Sequence, residues 1–147
     1  MKRGVKMGDK WRWANFGKEE FRCKCSCGLR FEVSEALLDL LQSIRDKVGK
    51  PILILSGARC RAHNSSSGGA PNSWHIPRDD DLYNTPTLYA ADITYANPKD
   101  RTARNIYMLY VWASNYKSVG LGIYRNRIHV DTRSTGKIAR WVNELPR

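Results

Sequence analysis

The sequence lacks any long hydrophobic run, and histidine, phenylalanine and cysteine are all scarce. Its 147 residues include three His, three Phe and four Cys. No stretch approaches the roughly 18 apolar residues that a membrane-spanning helix needs, so we expect no transmembrane segment. The basic N-terminus also lacks the roughly 7–15-residue apolar segment of a secretory signal. We therefore expect synthesis in the cytoplasm without a signal peptide.

Acidic residues are few relative to basic ones. Twenty-five Lys and Arg against 14 Asp and Glu give a formal net charge of +11 at pH 7. This excess favours polyanionic partners such as nucleic acid, anionic membrane or bacterial cell wall. The basic residues are scattered and no nucleic-acid-binding motif accompanies them. We expect no specific nucleic-acid partner and attribute the charge to attraction toward an anionic wall, with a solvated face as the alternative.

The four cysteines are Cys23, Cys25, Cys27 and Cys60. A reducing cytosol disfavours an obligatory disulfide framework. The alternation of the first three is tighter than the two-residue spacing of common zinc knuckles. A four-thiolate metal site, a Cys27–Cys60 disulfide formed after export and plain packing all remain open, and we expect a structural role.

The pattern along the chain predicts an α+β domain over residues 16–147, with a small, mainly antiparallel sheet and packed helices. Residues 1–15 are predicted to form a basic, partly ordered arm. A first helix is expected to begin after Ser34 as its N-cap and to end at Gly49. The apolar stripe of that helix consists of Leu37, Leu38, Leu41, Ile44 and Val48.

Later segments supply the remaining elements. Strands are predicted at residues 51–56 and 89–95, and a hairpin at 119–124 and 127–132. Residues 61–88, rich in Ser, Gly, Asn, Pro and Asp, predict a long loop. A second helix is predicted from one apolar face, composed of Ala103, Ile106, Tyr107, Tyr110, Val111 and Ser114. A closing element is expected around Trp141 and Val142.

Three polar residues occupy positions that should be apolar in a core strand or at its edge: His75, Asp92 and His129. Two imidazoles and one carboxylate are a standard ligand set for catalytic zinc, which keeps its fourth position for water. Asp92 is flanked by two alanines and an isoleucine, so burial of its carboxylate requires a cation or hydrogen bonds. A lone histidine, however, is more often a structural residue than a ligand.

Short motifs occur in a fixed order between residues 16 and 133. They are Phe16, Glu20-Phe21, the three alternating cysteines, Ser56-Gly57-Ala58-Arg59, His63-Asn64, Gly68-Gly69-Ala70, Ser73-Trp74-His75, Ala90-Ala91-Asp92-Ile93 and His129-Val130-Asp131-Thr132-Arg133. As a series they resemble the zinc D-alanyl-D-alanine carboxypeptidase family of peptidoglycan peptidases, in its small phage and bacterial branch. That family shares a metal site with Hedgehog signalling domains and with the dipeptidases of vancomycin resistance.

The resemblance implies that His75, Asp92 and His129 bind Zn²⁺. It implies that Arg59 binds or polarises a substrate carbonyl or carboxylate, a role suited to a planar, permanently charged guanidinium. A structural ion pair is the alternative for Arg59. Ser73 is expected to hydrogen-bond the substrate or the metal shell, and its alternative is a turn residue.

The spacing of the first two ligands departs from the family pattern. They are 17 residues apart here (92 − 75 = 17), which implies an insertion, and Leu88 stands where a glycine is expected. One of the consecutive aspartates Asp79, Asp80 and Asp81 could replace Asp92 as ligand. We prefer Asp92 because its Ala-Ala-Asp-Ile motif matches the family strand. The insert at residues 76–88 would lie beside the cleft and shape substrate choice.

The general base also departs from the pattern. Relatives place an acid three residues, or a histidine two residues, before the last ligand, where this sequence has Asn126 and Arg127. Asp131 is the remaining candidate, because residues 129 and 131 of a strand face the same side. It is predicted either to act as the base or to orient His129. If it does neither, we expect a slow or inactive protein.

The implied function is a zinc-dependent D,D-carboxypeptidase or endopeptidase that hydrolyses a peptide bond in the stem or cross-link of bacterial peptidoglycan. We expect a monomer that acts as a phage endolysin, made in the host cytoplasm and active at the periplasm or cell wall. One alternative is a catalytically weak, zinc-containing wall-binding module, which the missing upstream acid supports. The other is a nucleic-acid-binding protein whose cysteines hold zinc. The bond that is cut and the host are left open.

Overall fold

The computed structural model describes residues 4–5, 11–79 and 85–147. Within these ranges the chain forms two sheets and three α-helices. The strands are β1 (Gly4–Val5), β2 (Glu32–Ser34), β3 (Ile52–Ser56), β4 (Thr87–Leu88), β5 (Ala90–Tyr95), β6 (Gly120–Ile123), β7 (Ile128–Asp131) and β8 (Ala139–Val142). The helices are α1 (Glu35–Val48), α2 (Arg61–Ser66) and α3 (Ala103–Asn115), with 3-10 turns at Lys18–Phe21 and Pro98–Asp100.

The larger sheet has the strand order β3-β5-β7-β6-β8. Its first three pairings are antiparallel, and β8 runs parallel to β6 at one edge. The smaller sheet pairs β2 antiparallel with β1 and parallel with β4. The predicted α+β class with a small, mainly antiparallel sheet is therefore confirmed.

Helix α1 forms as its sequence predicts. The Ser34 side chain accepts a hydrogen bond from the Leu37 amide at 3.3 Å, and Gly49 ends the helix in the left-handed conformation with φ 67°. A glycine is favoured there because it has no Cβ to clash. The buried face of α1 packs against α3 in the main core.

The face of α3 that enters the core matches the predicted one only in part: Ile106 is buried and Tyr110 packs against the core. Ile106, Leu109 and Ala113 are buried, whereas Tyr107 and Val111 are 39% and 45% exposed. The helix is apolar on nearly every side, so periodicity alone does not select the inward face. Tertiary packing against α1 selects it instead.

The prediction of an unbroken loop over residues 61–88 is wrong at both ends. Helix α2 occupies its start, capped by the Cys60 side chain in place of a more common Ser, Asp or Asn. Strand β4 occupies its end, and it is only two residues long, too short for an alternating pattern to mark. Asp80 and Asp81 of the insert lie outside the described residues.

Part of the segment assigned to the N-terminal arm packs on the domain. Trp13 is 3% exposed, belongs to the main core, and donates a hydrogen bond from its indole nitrogen to Asp39 on α1 at 2.9 Å. Residues 1–3 and 6–10 lie outside the described residues. The domain boundary at residue 16 stays a prediction.

Strand β5 lies in the interior of the larger sheet, and all six of its residues are buried. Its register with β7 places Asp92 directly opposite His129. Two of the three candidate ligands are thus fixed as a cross-strand pair on the most protected strands. Among the described residues, no helix is both long and apolar enough to cross a membrane.

Candidate metal centre

The third candidate ligand, His75, is held by two backbone contacts to the segment that directly follows β3. Its carbonyl accepts a hydrogen bond from the Arg59 amide at 2.7 Å, and its Nδ1–H donates to the Gly57 carbonyl at 2.7 Å. The bond to Gly57 fixes the imidazole tautomer, which leaves Nε2 free to act as a ligand. The sequence separation of 17 residues between His75 and Asp92 does not keep their side chains apart.

The three side chains converge on one point. Asp92 Oδ1 lies 3.1 Å from His75 Nε2 and 3.1 Å from His129 Nδ1. All three residues are buried, and their ligand atoms lie within 4.8 Å of one another. A tetrahedral zinc ion with bonds of about 2.0–2.1 Å to nitrogen and oxygen separates its ligand atoms by about 3.3 Å. The donor set and its spacing therefore fit a divalent metal of this kind.

Asp131 lies behind His129, at the ring nitrogen that does not face Asp92. Its Oδ2 atom is 2.8 Å from His129 Nε2, and the Arg133 guanidinium donates to both carboxylate oxygens at 2.9 and 2.7 Å. The Gly120 amide adds a further bond to Oδ1 at 2.9 Å. Asp131 is completely buried. This arrangement holds the His129 ring with Nδ1 directed toward Asp92.

The site is a network of opposite charges when no metal is bound. Burial would raise the pKa of Asp92, but the charges and hydrogen bonds of His75 and His129 hold it well below its usual range. Burial would lower the pKa of His129, yet its hydrogen bonds to Asp131 and Asp92 raise it. Arg133 and His129 likewise overcome burial and hold the pKa of Asp131 well below its usual range. Protons on histidine and a metal cation thus compete for the same buried carboxylate.

The three ligand side chains open onto a cleft of about 590 Å³. Three arginines line it, Arg59, Arg127 and Arg133, together with the aromatic residues Trp74, Tyr124 and Trp141. Among the described residues that line the cleft, Asp92 is the one carboxylate. The cleft is therefore strongly cationic around its candidate metal ligands, with aromatic walls.

Arg59 is held in place by three side chains. Its guanidinium contacts Asp92 Oδ2 at 3.4 Å, Ser56 Oγ at 2.9 Å and Asn64 Oδ1 at 3.3 Å. The ion pair that sequence reasoning offered as an alternative is present, and the same side chain also lines the cleft. Ser73 lines the cleft as well, while its Oγ accepts the His75 amide at 3.2 Å. The substrate roles of Arg59 and Ser73 stay predictions.

The described aspartate of the insert does not join the metal centre. Asp79 is exposed, and the group of possible ligands in the described chain contains Asp92 instead. The geometry thus supports Asp92 as the ligand over Asp79, which is the one aspartate of the insert that the structure describes.

Sequence reasoning gave no role to several cleft residues. Arg127 lies 3.9 Å from Asp92 Oδ2 and stacks over the Tyr124 ring at 4.1 Å. The Trp141 ring lies 5.0 Å from the His129 ring, and its indole N–H donates to the Tyr124 hydroxyl at 3.1 Å. Arg133 was quoted in a motif but not connected to Asp131.

The Gly-Leu-Gly sequence of β6 is the sequence feature that could have indicated these contacts. A Cβ atom on Gly120 would overlap the Asp131 carboxylate, and one on Gly122 would overlap the Trp141 indole. Glycine within a strand often marks a close approach by another group. The two glycines therefore indicate that the side chains of Asp131 and Trp141, which contact His129, pack closely against β6.

A family model described as Peptidase M15 matches residues 14–131, most of the chain. The chain belongs to the peptidase M15 family. The resemblance drawn from the sequence motifs is confirmed, and membership together with the His-Asp-His site indicates a metal-dependent peptidase. A comparison with curated proteins finds none that matches the sequence.

Proposed function

We propose that this M15 peptidase is zinc-dependent and hydrolyses a peptide bond in the stem or cross-link of bacterial peptidoglycan. The observation that carries the proposal is the convergence of His75 Nε2, Asp92 Oδ1 and His129 Nδ1 at an open, cationic cleft. A zinc ion held by these atoms supplies a Lewis acid that polarises a carbonyl and lowers the pKa of water. Two imidazoles and a carboxylate with an open fourth position are typical of catalytic zinc.

The lining of the cleft supports a peptide substrate that carries carboxylates. Arg59, Arg127 and Arg133 present planar guanidinium groups, which bind carboxylates in pairs of hydrogen bonds. Peptidoglycan stems contain free carboxylates on their side chains and at their ends. The net charge of +11 adds a general attraction to the anionic wall.

Arg59 is assigned to the developing negative charge on the scissile carbonyl. Its guanidinium already lies beside Asp92 Oδ2, so it is close to any carbonyl oxygen that approaches the ligands. Ser73 is assigned to the substrate backbone at the rim of the cleft. Both assignments follow from the family motifs that contain these residues.

Asp131 is assigned to the orientation of His129, the second of the two roles predicted for it. Its carboxylate already accepts bonds from His129, Arg133 and Gly120, and it is absent from the lining of the cleft. It has no face open to an attacking water molecule. Proton transfer from that water therefore has no assigned carboxylate among the described cleft residues.

This feature favours a second candidate function, a wall-binding module that contains zinc but turns over slowly. One measurement distinguishes the peptidase from the wall-binding module. Purified peptidoglycan is incubated with the zinc-loaded protein, with and without a chelator, and the soluble muropeptides are weighed by mass spectrometry. Chelator-sensitive products support the peptidase, and their masses identify the bond and separate endopeptidase from carboxypeptidase action.

The matched control is His75→Ala, which removes a ligand and must abolish those products. Intact muropeptides from a folded, zinc-loaded protein that still sediments with peptidoglycan would support the binding module instead. If the wild-type protein sediments with peptidoglycan but releases no products from walls of several compositions, the peptidase proposal is overturned.

We also propose that the protein is a monomeric phage endolysin that acts at the periplasm or cell wall. Its basic charge and small size support this role, by analogy with the family branch that its motifs resemble. Co-expression with a hole-forming membrane protein tests it. Lysis that occurs only when the two proteins are expressed together supports the proposal. Absence of lysis both with and without the hole-forming protein contradicts it.

A further inference from the structure

A second group of metal-ligating side chains lies outside the cleft. Cys23, Cys25 and Cys27 come from the segment that follows the first 3-10 turn, and Cys60 comes from the start of α2. Although Cys60 lies 33 positions after Cys27 in the sequence, the four sulfur atoms lie within 4.8 Å of one another. The fold therefore assembles a four-sulfur cluster from two distant segments.

The sulfur atoms are spaced as ligands of one ion. Cys25 Sγ lies 3.4 Å from Cys23 Sγ and 3.6 Å from Cys60 Sγ. A tetrahedral zinc ion with Zn–S bonds of about 2.3 Å separates its sulfurs by about 3.8 Å. All four thiols are free, and these two sulfur–sulfur distances are far longer than the roughly 2.05 Å of a disulfide bond.

Backbone amides complete the surroundings of the cluster. The Cys60 amide donates to Cys23 Sγ at 3.4 Å, and the His63 amide donates to Cys60 Sγ at 3.3 Å. Amide donors of this kind stabilise sulfur that carries negative charge.

A turn at Ser26 allows three closely spaced cysteines to direct their sulfur atoms to one point. The Ser26 amide bonds to the Cys23 carbonyl at 3.3 Å, and Ser26 has φ 62°, a conformation that is uncommon for serine. The chain reverses there, so that Cys27 returns toward Cys23 and Cys25. An extended chain would instead carry alternate side chains steadily away along one face.

We propose that Cys23, Cys25, Cys27 and Cys60 bind a second, structural zinc ion. Four sulfur ligands with no open position are typical of a zinc site that stabilises a fold. The site needs none of the cleft residues, so it stands apart from the proposed peptidase activity.

The position of this zinc connects it to the cleft. Cys60 directly follows Arg59, and the Ala58 amide bonds to the Phe21 carbonyl at 2.8 Å. Gly57 lies against Phe21 so closely that a Cβ atom would overlap its backbone, and the Gly57 carbonyl accepts His75 Nδ1–H. A metal at the cysteines thus clamps the segment that positions both Arg59 and His75.

The proposal is tested by counting zinc in protein purified without chelator. We expect about two zinc ions per chain in the wild type and about one in Cys25→Ser/Cys27→Ser. Both altered residues are exposed, so serine leaves the core intact. His75→Ala/His129→Ala should also retain about one. Lys24→Ser, in the same turn but without a ligand atom, is the matched control and should retain the wild-type content.

Substitution with cobalt assigns the ions to their sites. Thiolate-to-cobalt charge-transfer absorption should appear in the wild type and in His75→Ala/His129→Ala, and it should be absent from Cys25→Ser/Cys27→Ser. Alkylation after denaturation with a chelator should modify all four thiols. Absence of the thiolate band from folded wild-type protein, or fewer than four alkylated thiols because of disulfides, would overturn the proposal.

Discussion

The Nε2 atom of His129 lies 2.8 Å from Oδ2 of Asp131, while the Nδ1 atom of the same ring lies 3.1 Å from Asp92. One imidazole therefore connects the open site to a carboxylate that is wholly buried. Arg133 neutralises that carboxylate from its other side. The orientation of one metal ligand thus depends on Asp131, which does not line the cleft, and on Arg133, which does.

Replacement of Asp131 by Asn should weaken metal binding by about 10–100-fold, because the amide no longer fixes the His129 ring or strengthens it as a ligand. The dissociation constant for Zn²⁺ is measured by competition with a chromogenic chelator. Asp46→Asn makes the same chemical change on the exposed side of α1 and should leave the affinity unaltered. Equal affinities for the wild type and Asp131→Asn would contradict the assigned orienting role.

The stability of the metal-free protein should be greatest in mildly acidic solution. The pKa of folded His129 is raised, so its stabilisation is complete below the unfolded value of about 6.5 and is lost as pH rises through the folded pKa. The pKa values of Asp92 and Asp131 are lowered, so their stabilisation is present above about 3.9 and is lost as pH falls. The free energy of unfolding, measured with urea across pH, should therefore decline on both sides.

Zinc affinity should change in the opposite direction on the alkaline side. It should increase as pH rises, because His129 must lose its proton before it binds a metal. His129→Gln should remove most of the alkaline decline in stability of the metal-free protein. A metal-free protein whose stability is constant from about pH 5 to 9 would show that His129 is not charged in the folded state.

Replacement of Arg59 by Lys should lower kcat/KM on a peptidoglycan substrate by about 100-fold or more, since an ammonium group cannot make the same forked contacts. Zinc content should stay at the wild-type level, because Arg59 supplies no ligand atom. Arg125→Lys, at the exposed turn between β6 and β7, is the matched control and should retain activity. A loss of zinc in Arg59→Lys would instead indicate a structural role through Asp92.

Replacement of Gly122 by Ala should displace Trp141 from its position beside His129. The added Cβ would overlap the indole, so we expect a loss of about 1–3 kcal/mol in the free energy of unfolding and reduced activity. Tryptophan fluorescence and denaturant unfolding measure the two effects. Trp141→Phe in the Gly122→Ala background should recover part of the stability, because the smaller ring relieves the overlap.

The local elements were predictable because strong local signals produce them. Ser34, the leucine stripe and Gly49 define α1 without help from the rest of the chain. The inner face of α3 could not be predicted, because apolar residues such as Tyr107 and Leu109 compete for the core and packing alone decides. Helix α2 was missed because its cap is Cys60, a residue rarely found in that role.

The residues of the metal centre could be predicted from the sequence, but the positions of the side chains around them could not. His75, Asp92 and His129 stood out because polar residues on core strands are costly without partners. Trp141 could not be placed in the cleft, because only the parallel β6–β8 pairing brings it opposite Gly122 and so beside His129. A four-thiolate site was one of three alternatives for the cysteines and could not be singled out, since the left-handed Ser26 that gathers them leaves no pattern in the sequence.

Strand β8 is attached to the sheet through β6 alone, and it lies beyond Asp131, where the family match ends. It contributes Trp141 to the cleft but none of the three candidate metal ligands. An edge strand of this kind can change its sequence or length while β5 and β7 keep their register. Evolution could therefore retune which ligand the cleft admits without rebuilding its reactive centre, and a designer could graft new edge strands onto the same scaffold.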